Sequence, residues 1–131
     1  MYRYRVKEVL RVIDGDTIDL RLDLGFNILH NVRVRLSGIN TPESRTKDLK
    51  EKRLGLKAKK VVQAYCDAAE ELLLDTEKAG KFGRYLGMIT NQEGEWLHEL
   101  LLDSGLAREY HGGKRGKWFE DEKLGKGQND K

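Results

Sequence analysis

One cysteine, Cys66, excludes any internal disulfide, fits a reducing compartment and leaves packing as that residue's expected role. Long apolar runs are also missing. None approaches the ~18 residues that a membrane-spanning helix requires, and Met1-Tyr2-Arg3-Tyr4-Arg5 lacks the apolar centre of a secretory leader. A cytoplasmic protein is expected on that ground, with a processed secreted form as the alternative. His30, His98 and His111 show no paired spacing of the kind that holds zinc. No serine or cysteine stands in a nucleophile motif, and the chain has no internal repeat and no low-complexity linker.

What is present suits one domain with one core: 131 residues, 38% hydrophobic and 36% charged. Residues 1–124 are expected to form that domain, and residues 125–131, rich in glycine and polar side chains, a disordered tail. The net charge of +3 is small but unevenly spread. Residues 1–60 carry 15 Lys and Arg against 8 Asp and Glu, whereas residues 61–131 carry 10 against 14. A basic first half steers a polyanion toward itself. Ordinary solvated charges account for the same composition, so the asymmetry supports a nucleic-acid partner without requiring one.

Alternating apolar residues predict strands over 2–13, 18–24 and 28–36, with a break in phase near Glu8 that reads as a bulge. On the third strand Val32, Val34 and Leu36 face the core, which leaves Arg33 and Arg35 on the other face. Residues 44–56 are polar and dense in Lys and Arg, and read as mobile. Leu54, Ala58, Val61, Val62, Tyr65 and Ala69 fall at helical spacing, so a helix is expected from Arg53 to about residue 70. Lys57, Lys59 and Lys60 lie outside that apolar stripe, and a charge run of this kind more often marks a solvated face than a binding patch. Two further strands are expected over 71–76 and 85–90, with a turn at 77–80 between them. A short helix around Trp96, Leu97, Leu100 and Leu101 is expected to stop at Gly105, followed by a strand over 106–110 and a short helix near Trp118 and Phe119. That order matches a mainly β, α+β chain: a five-stranded Greek-key barrel, the OB-fold, with two to three helices.

Two segments concentrate the chemistry. Asp14-Gly15-Asp16-Thr17 separates the first two strands and reads as a tight hairpin turn with glycine at positive φ. Arg35-Leu36-Ser37-Gly38-Ile39-Asn40-Thr41-Pro42-Glu43 ends the third strand, and Pro42, the only proline, fixes an extended loop at Thr41. Together they offer the Asp16 and Glu43 carboxylates, the Asn40 amide oxygen and main-chain carbonyls. These are hard oxygen donors that suit Ca²⁺ or Mg²⁺ rather than zinc. An arginine beside such a group points to an anion held between cation and metal, and a phosphodiester is the obvious one.

The order of Asp-Gly-Asp-Thr, Arg-Leu-x-Gly-Ile-x-Thr-Pro-Glu and Lys81-Phe82-Gly83-Arg84 resembles the staphylococcal nuclease (thermonuclease) family, with matches from about Val6 to Tyr110. The resemblance implies an OB-fold and a Ca²⁺-dependent phosphodiesterase, with Mg²⁺ or Mn²⁺ as substitutes, acting as a monomer on DNA and/or RNA. It implies Asp16, Asn40 and the Thr41 carbonyl as metal ligands, Glu43 as base or water orienter, and Arg35 and Arg84 as the phosphate-gripping arginines. Lys81, Phe82 and Tyr110 become the substrate contacts, Phe82 standing where the family often has a tyrosine. Asn40 departs from the pattern, since the resemblance implies an aspartate there. Asparagine keeps the oxygen and removes a charge, so weaker Ca²⁺ binding is expected, with Asp14 or water compensating. The alternative from another class is an OB module that binds nucleic acid and has lost turnover. Arg35, Glu43 and Arg84 together favour the enzyme, because a pure binder has no reason to carry all three.

Overall fold

The computed structural model describes residues 2–79 and 85–110. Five strands close a barrel in the order β1-β2-β3-β6-β5, formed by β1 (Tyr2–Asp14), β2 (Thr17–Asp23), β3 (Leu29–Leu36), β5 (Leu72–Ala79) and β6 (Tyr85–Asn91). All neighbours are antiparallel except β3 and β6, which run parallel, and β5 returns to pair with β1. This is the mainly β OB-fold expected from the order of elements. Helix α1 (Leu49–Ala68) lies between β3 and β5 in sequence, and α2 (Leu97–Asp103) follows β6. The helix expected near Trp118 and the tail over 125–131 lie outside the described residues. No helix among the described residues is long and apolar enough to cross a membrane.

Spacing on β1 explains how the barrel curves. Val6, Val9 and Val12 recur every third residue, a phase that a flat strand would turn alternately in and out. They nevertheless pair with Leu22, Leu20 and Ile18, which recur every second residue on β2. Three register shifts reconcile the two spacings, between Val6 and Glu8, Val9 and Arg11, and Val12 and Asp14. Each such bulge adds twist, which bends the strand around the core. The single phase break expected near Glu8 is therefore the first of three. Ile18, Leu20, Val34, Ile89, Leu97 and Leu101 are fully buried in the resulting core, each contributing roughly 1.5–3 kcal/mol by removal from water.

Helix α1 begins earlier than the apolar stripe indicates, because residues 49–56 are not the mobile segment expected. Asp48 caps the helix by accepting hydrogen bonds from the Lys50 and Glu51 amides at 3.1 and 3.2 Å, so the polar stretch after it is already helical. Its buried face is Gly55, Ala58, Val62 and Tyr65. Tyr65 donates to the Glu95 carbonyl at 2.6 Å, and burial pushes its phenol well above the usual range. Burial also pushes the neighbouring Cys66 thiol up to about 11, so it remains a protonated packing group. Helix α2 stops as expected at Gly105, whose φ of 77° lets its amide and that of Leu106 bond back to Leu102 and Leu101. Beyond it β7 (Arg108–Glu109) pairs with β4 (Ile39–Asn40), a shorter strand than the 106–110 expected. Strand β5 likewise runs on through Ala79, into the stretch expected to turn.

Candidate active site

The Asp14 to Thr17 hairpin does not use the backbone expected of it. Gly15 lies outside the left-handed region, and its requirement for glycine is one of space. A Cβ there would stand 2.9 Å from the Ala58 Cβ and 3.0 Å from the Thr41 Cγ2. The turn is thus pressed between α1 and the loop after β4, and this contact brings Asp16 to Thr41, 25 residues away.

Asp16 is 8% exposed. Its Oδ1 accepts from the Thr17 hydroxyl at 3.1 Å and its Oδ2 from the Thr41 amide at 3.1 Å. Arg35 arrives from β3, where it faces Thr17 across the ladder. Its Nη1 lies 3.4 Å from Asp16 Oδ2 and donates to the Leu36 carbonyl at 3.0 Å, while Nη2 donates to Asn40 Oδ1 at 2.7 Å. Tyr110 sits with its ring centroid 6.0 Å from the guanidinium carbon and is tied down by its amide, which donates to the Gly38 carbonyl at 2.8 Å. The pairing of β4 with β7 holds Asn40 and Tyr110 on the same side of the barrel. Asp14, Asp16, Arg35, Asn40, Glu43 and Tyr110 line one cleft of about 310 Å³, together with Thr17 and Thr41.

The structure thus brings together Asp16, Arg35, Asn40, Thr41, Glu43 and Tyr110 from the sequence-based set. Lys81, Phe82 and Arg84 lie outside the described residues. Tyr85, the first residue of β6, pairs with Val34 next to Arg35.

Three positioning residues escaped the reading of the sequence. Glu43 is exposed, and its amide donates to Glu51 Oε2 at 2.9 Å. Gly55 lies directly beneath: a Cβ there would stand 2.4 Å from the Glu43 carbonyl oxygen, so no other residue lets the helix approach that loop so closely. Ser44 donates from its hydroxyl and its amide to Asp14 Oδ1, which ties the loop to the hairpin. A glycine inside an amphipathic pattern is the signal that was available for Gly55. Asp48 followed three residues later by Glu51 has the form of a helix start, yet Glu51 turns to the loop instead of back to its own cap.

Could this cleft hold a divalent cation? Among the described residues, no group of three or more His, Cys, Asp or Glu side chains is arranged to hold one. A carboxylate has about four lone-pair sites, however, and Asp16 spends two on hydrogen bonds. With Asn40 and main-chain oxygens beside it, the donor set is all hard oxygen. It fits a hard cation such as Ca²⁺ that keeps several of its own waters, at a charge too low for tight binding.

Against known families, a family model described as staphylococcal nuclease homologue matches residues 33–130. The chain is a member of that family. No curated protein matches it. The family match spans Arg35, Asn40, Thr41, Glu43, Arg84 and Tyr110 and starts after Asp16. Asp16 lies before the matched residues of this staphylococcal nuclease homologue, and its bond to the Thr41 amide and its contact with Arg35 bring it to the same cleft.

Proposed function

We propose that this staphylococcal nuclease homologue is a metal-dependent nuclease that hydrolyses phosphodiester bonds of DNA and/or RNA with low sequence selectivity. The observation that carries the reading is the meeting of Arg35 with Asp16 and Asn40 in a cleft that Glu43 also lines. In-line attack on phosphorus builds negative charge on the equatorial oxygens, and cations fixed beforehand lower that barrier. Arg35 is such a cation: two of its five N–H donors are engaged, to Leu36 and Asn40, Nη1 also stands 3.4 Å from Asp16, and the remaining donors are the ones to meet phosphate oxygens. Glu43 is the general base, taking the proton of the attacking water from an exposed loop that Glu51 and Gly55 hold still. Arg84 is the second guanidinium, a role that rests on the family motif. Asp16, Asn40 and the Thr41 carbonyl are the groups that would hold the metal, which would supply neutralisation of a phosphate oxygen and a more acidic water. Contacts of this kind address phosphates rather than base edges, hence the low selectivity.

The decisive assay is incubation with single-stranded DNA, duplex DNA and RNA in Ca²⁺, Mg²⁺ or Mn²⁺ against a chelator control, using the natural chain and Glu43→Gln. Cleavage is expected in at least one metal, abolished by chelator and slowed roughly 10²- to 10⁴-fold by the substitution. Asn40 favours a second reading, an OB module that binds nucleic acid without cutting it, because the amide leaves the metal position one carboxylate poorer. Binding with no cleavage in any of the metals would establish that alternative.

A further inference from the structure

Five arginines of the barrel meet acids, with Lys7 and Arg11 on β1 the exceptions, whereas three cations on the outer face of α1 meet none among the described residues. Every ion pair on the strands sets an arginine against an acid: Arg3 with Asp75, Arg5 with Glu71, Arg21 with Glu8, Arg33 with Asp19 and Arg35 with Asp16. Residues 45–60 carry eight Lys and Arg and only two acids, Asp48 and Glu51. Both acids are spent on backbone amides, Asp48 on those of Lys50 and Glu51, and Glu51 on that of Glu43. Arg53, Lys57 and Lys60 are all exposed, and none has an acidic partner among the described residues. Their spacing of four and three residues puts them on one face of the helix, opposite Gly55, Ala58 and Val62.

We propose that this outward face of α1 is a second contact for the nucleic-acid backbone, gripping phosphates beyond those in the cleft. The proposal rests on nucleic acid being the substrate and deepens that reading. At about 1.5 Å per residue the three cations span roughly 10 Å, about three steps of one duplex strand at ~3.4 Å each. Their position relative to the cleft is fixed, since Gly55 packs on the backbone of Glu43 and Ser44 on the other side of the same helix. An anionic lipid surface is the competing polyanion. It is disfavoured because the exposed large apolar residues on this helix amount to Leu49 and Leu56.

The test is a salt titration of binding, in chelator, with labelled single-stranded and duplex DNA long enough to leave the cleft. Arg53→Gln, Lys57→Gln and Lys60→Gln combined should cut the slope of log K against log salt by roughly two to three, at about 0.7–0.9 per lost phosphate contact, and weaken binding tenfold or more at low salt. A control combining Arg5→Gln, Lys7→Gln and Arg11→Gln on β1 removes the same charge. An unchanged slope, or an equal loss in the control, overturns the proposal. A natural chain that binds neither DNA also overturns it. The assay requires no turnover, so the expected slope change from a chain that cleaves nothing upholds this surface while the nuclease reading fails.

Discussion

Arg33 and Arg35 stand two residues apart on the same face of β3, and the regions around them differ in what they leave undone. In the middle of the β2–β3 hairpin, Arg33 lies directly opposite Asp19 and meets it with two parallel bonds of 2.7 and 3.0 Å. Its charge is matched by the ladder itself. At the end of the hairpin, Arg35 lies opposite Thr17, and its acid comes from the turn, 3.4 Å from a single oxygen. Its two hydrogen bonds go to neutral oxygens of Leu36 and Asn40. A paired guanidinium is structural. One held in place by neutral groups, beside a carboxylate that its neighbours already share, is poised for a further anion.

Exchanging each arginine for alanine breaks the comparison most sharply. Arg35→Ala is expected to lower phosphodiester cleavage by about 10³, the scale of removing a charged donor from developing phosphoryl charge. Arg33→Ala should leave turnover within about twofold, since surface substitutions away from a site rarely disturb it. Rates on a single substrate with both variants folded check the contrast. Comparable losses would mean that the hairpin's middle is part of the site.

A smaller effect is expected where the two halves of the cleft touch. Asn40→Asp restores a carboxylate beside Asp16, and Ca²⁺ affinity measured by calorimetry should rise about tenfold, because ligand charge tunes such sites. The same carboxylate would pair with Arg35, whose Nη2 already donates to that position at 2.7 Å. Tighter metal binding should therefore come with a more strongly held Arg35. An unchanged affinity would remove Asn40 from the metal position.

The order of strands along the chain, both helices and the segments that build the cleft were legible because each announces itself locally, through alternation on β2, helical spacing after Leu54 and the breakers Pro42 and Gly105. Boundaries set by side-chain capping were not, as Asp48 shows: its hydrogen bonds extend α1 back across a stretch that looks like loop by composition. The three bulges of β1 were hidden too. Nothing in one strand declares the spacing of its partner, and only pairing with β2 makes a three-residue recurrence face inward. At the site, residue identity pointed to Asp16, Arg35 and Glu43, whereas Ser44 acts through a tertiary contact that no local pattern encodes, and Gly55 showed only as a glycine inside an amphipathic pattern. The far end of the hairpin is similar. Gly25 signals a turn there, but not that Phe26 would sit 96% exposed at a φ of 55°, a conformation that costs a bulky residue about 1–2 kcal/mol.

The mildest expected effect concerns the matched arginine and its pH dependence. Arg33 holds the Asp19 carboxyl below its ordinary range, chiefly through their hydrogen bonds, with burial opposing and Arg11 assisting. A lowered carboxylate pKa stabilises the fold above the unfolded value of about 3.9 and loses that contribution as pH falls through the folded value. Arg33→Ala should therefore cost stability at pH 7, and the deficit should shrink as pH drops below about 4 and Asp19 becomes protonated in both proteins. With the Arg33 side chain 48% exposed, the deficit should stay under about 1 kcal/mol. Urea unfolding at pH 7 and at pH 2.5 measures both quantities. A deficit that persists unchanged in acid would assign Arg33 a packing role, its aliphatic stem covering the barrel, in place of the charge match that distinguishes it from Arg35.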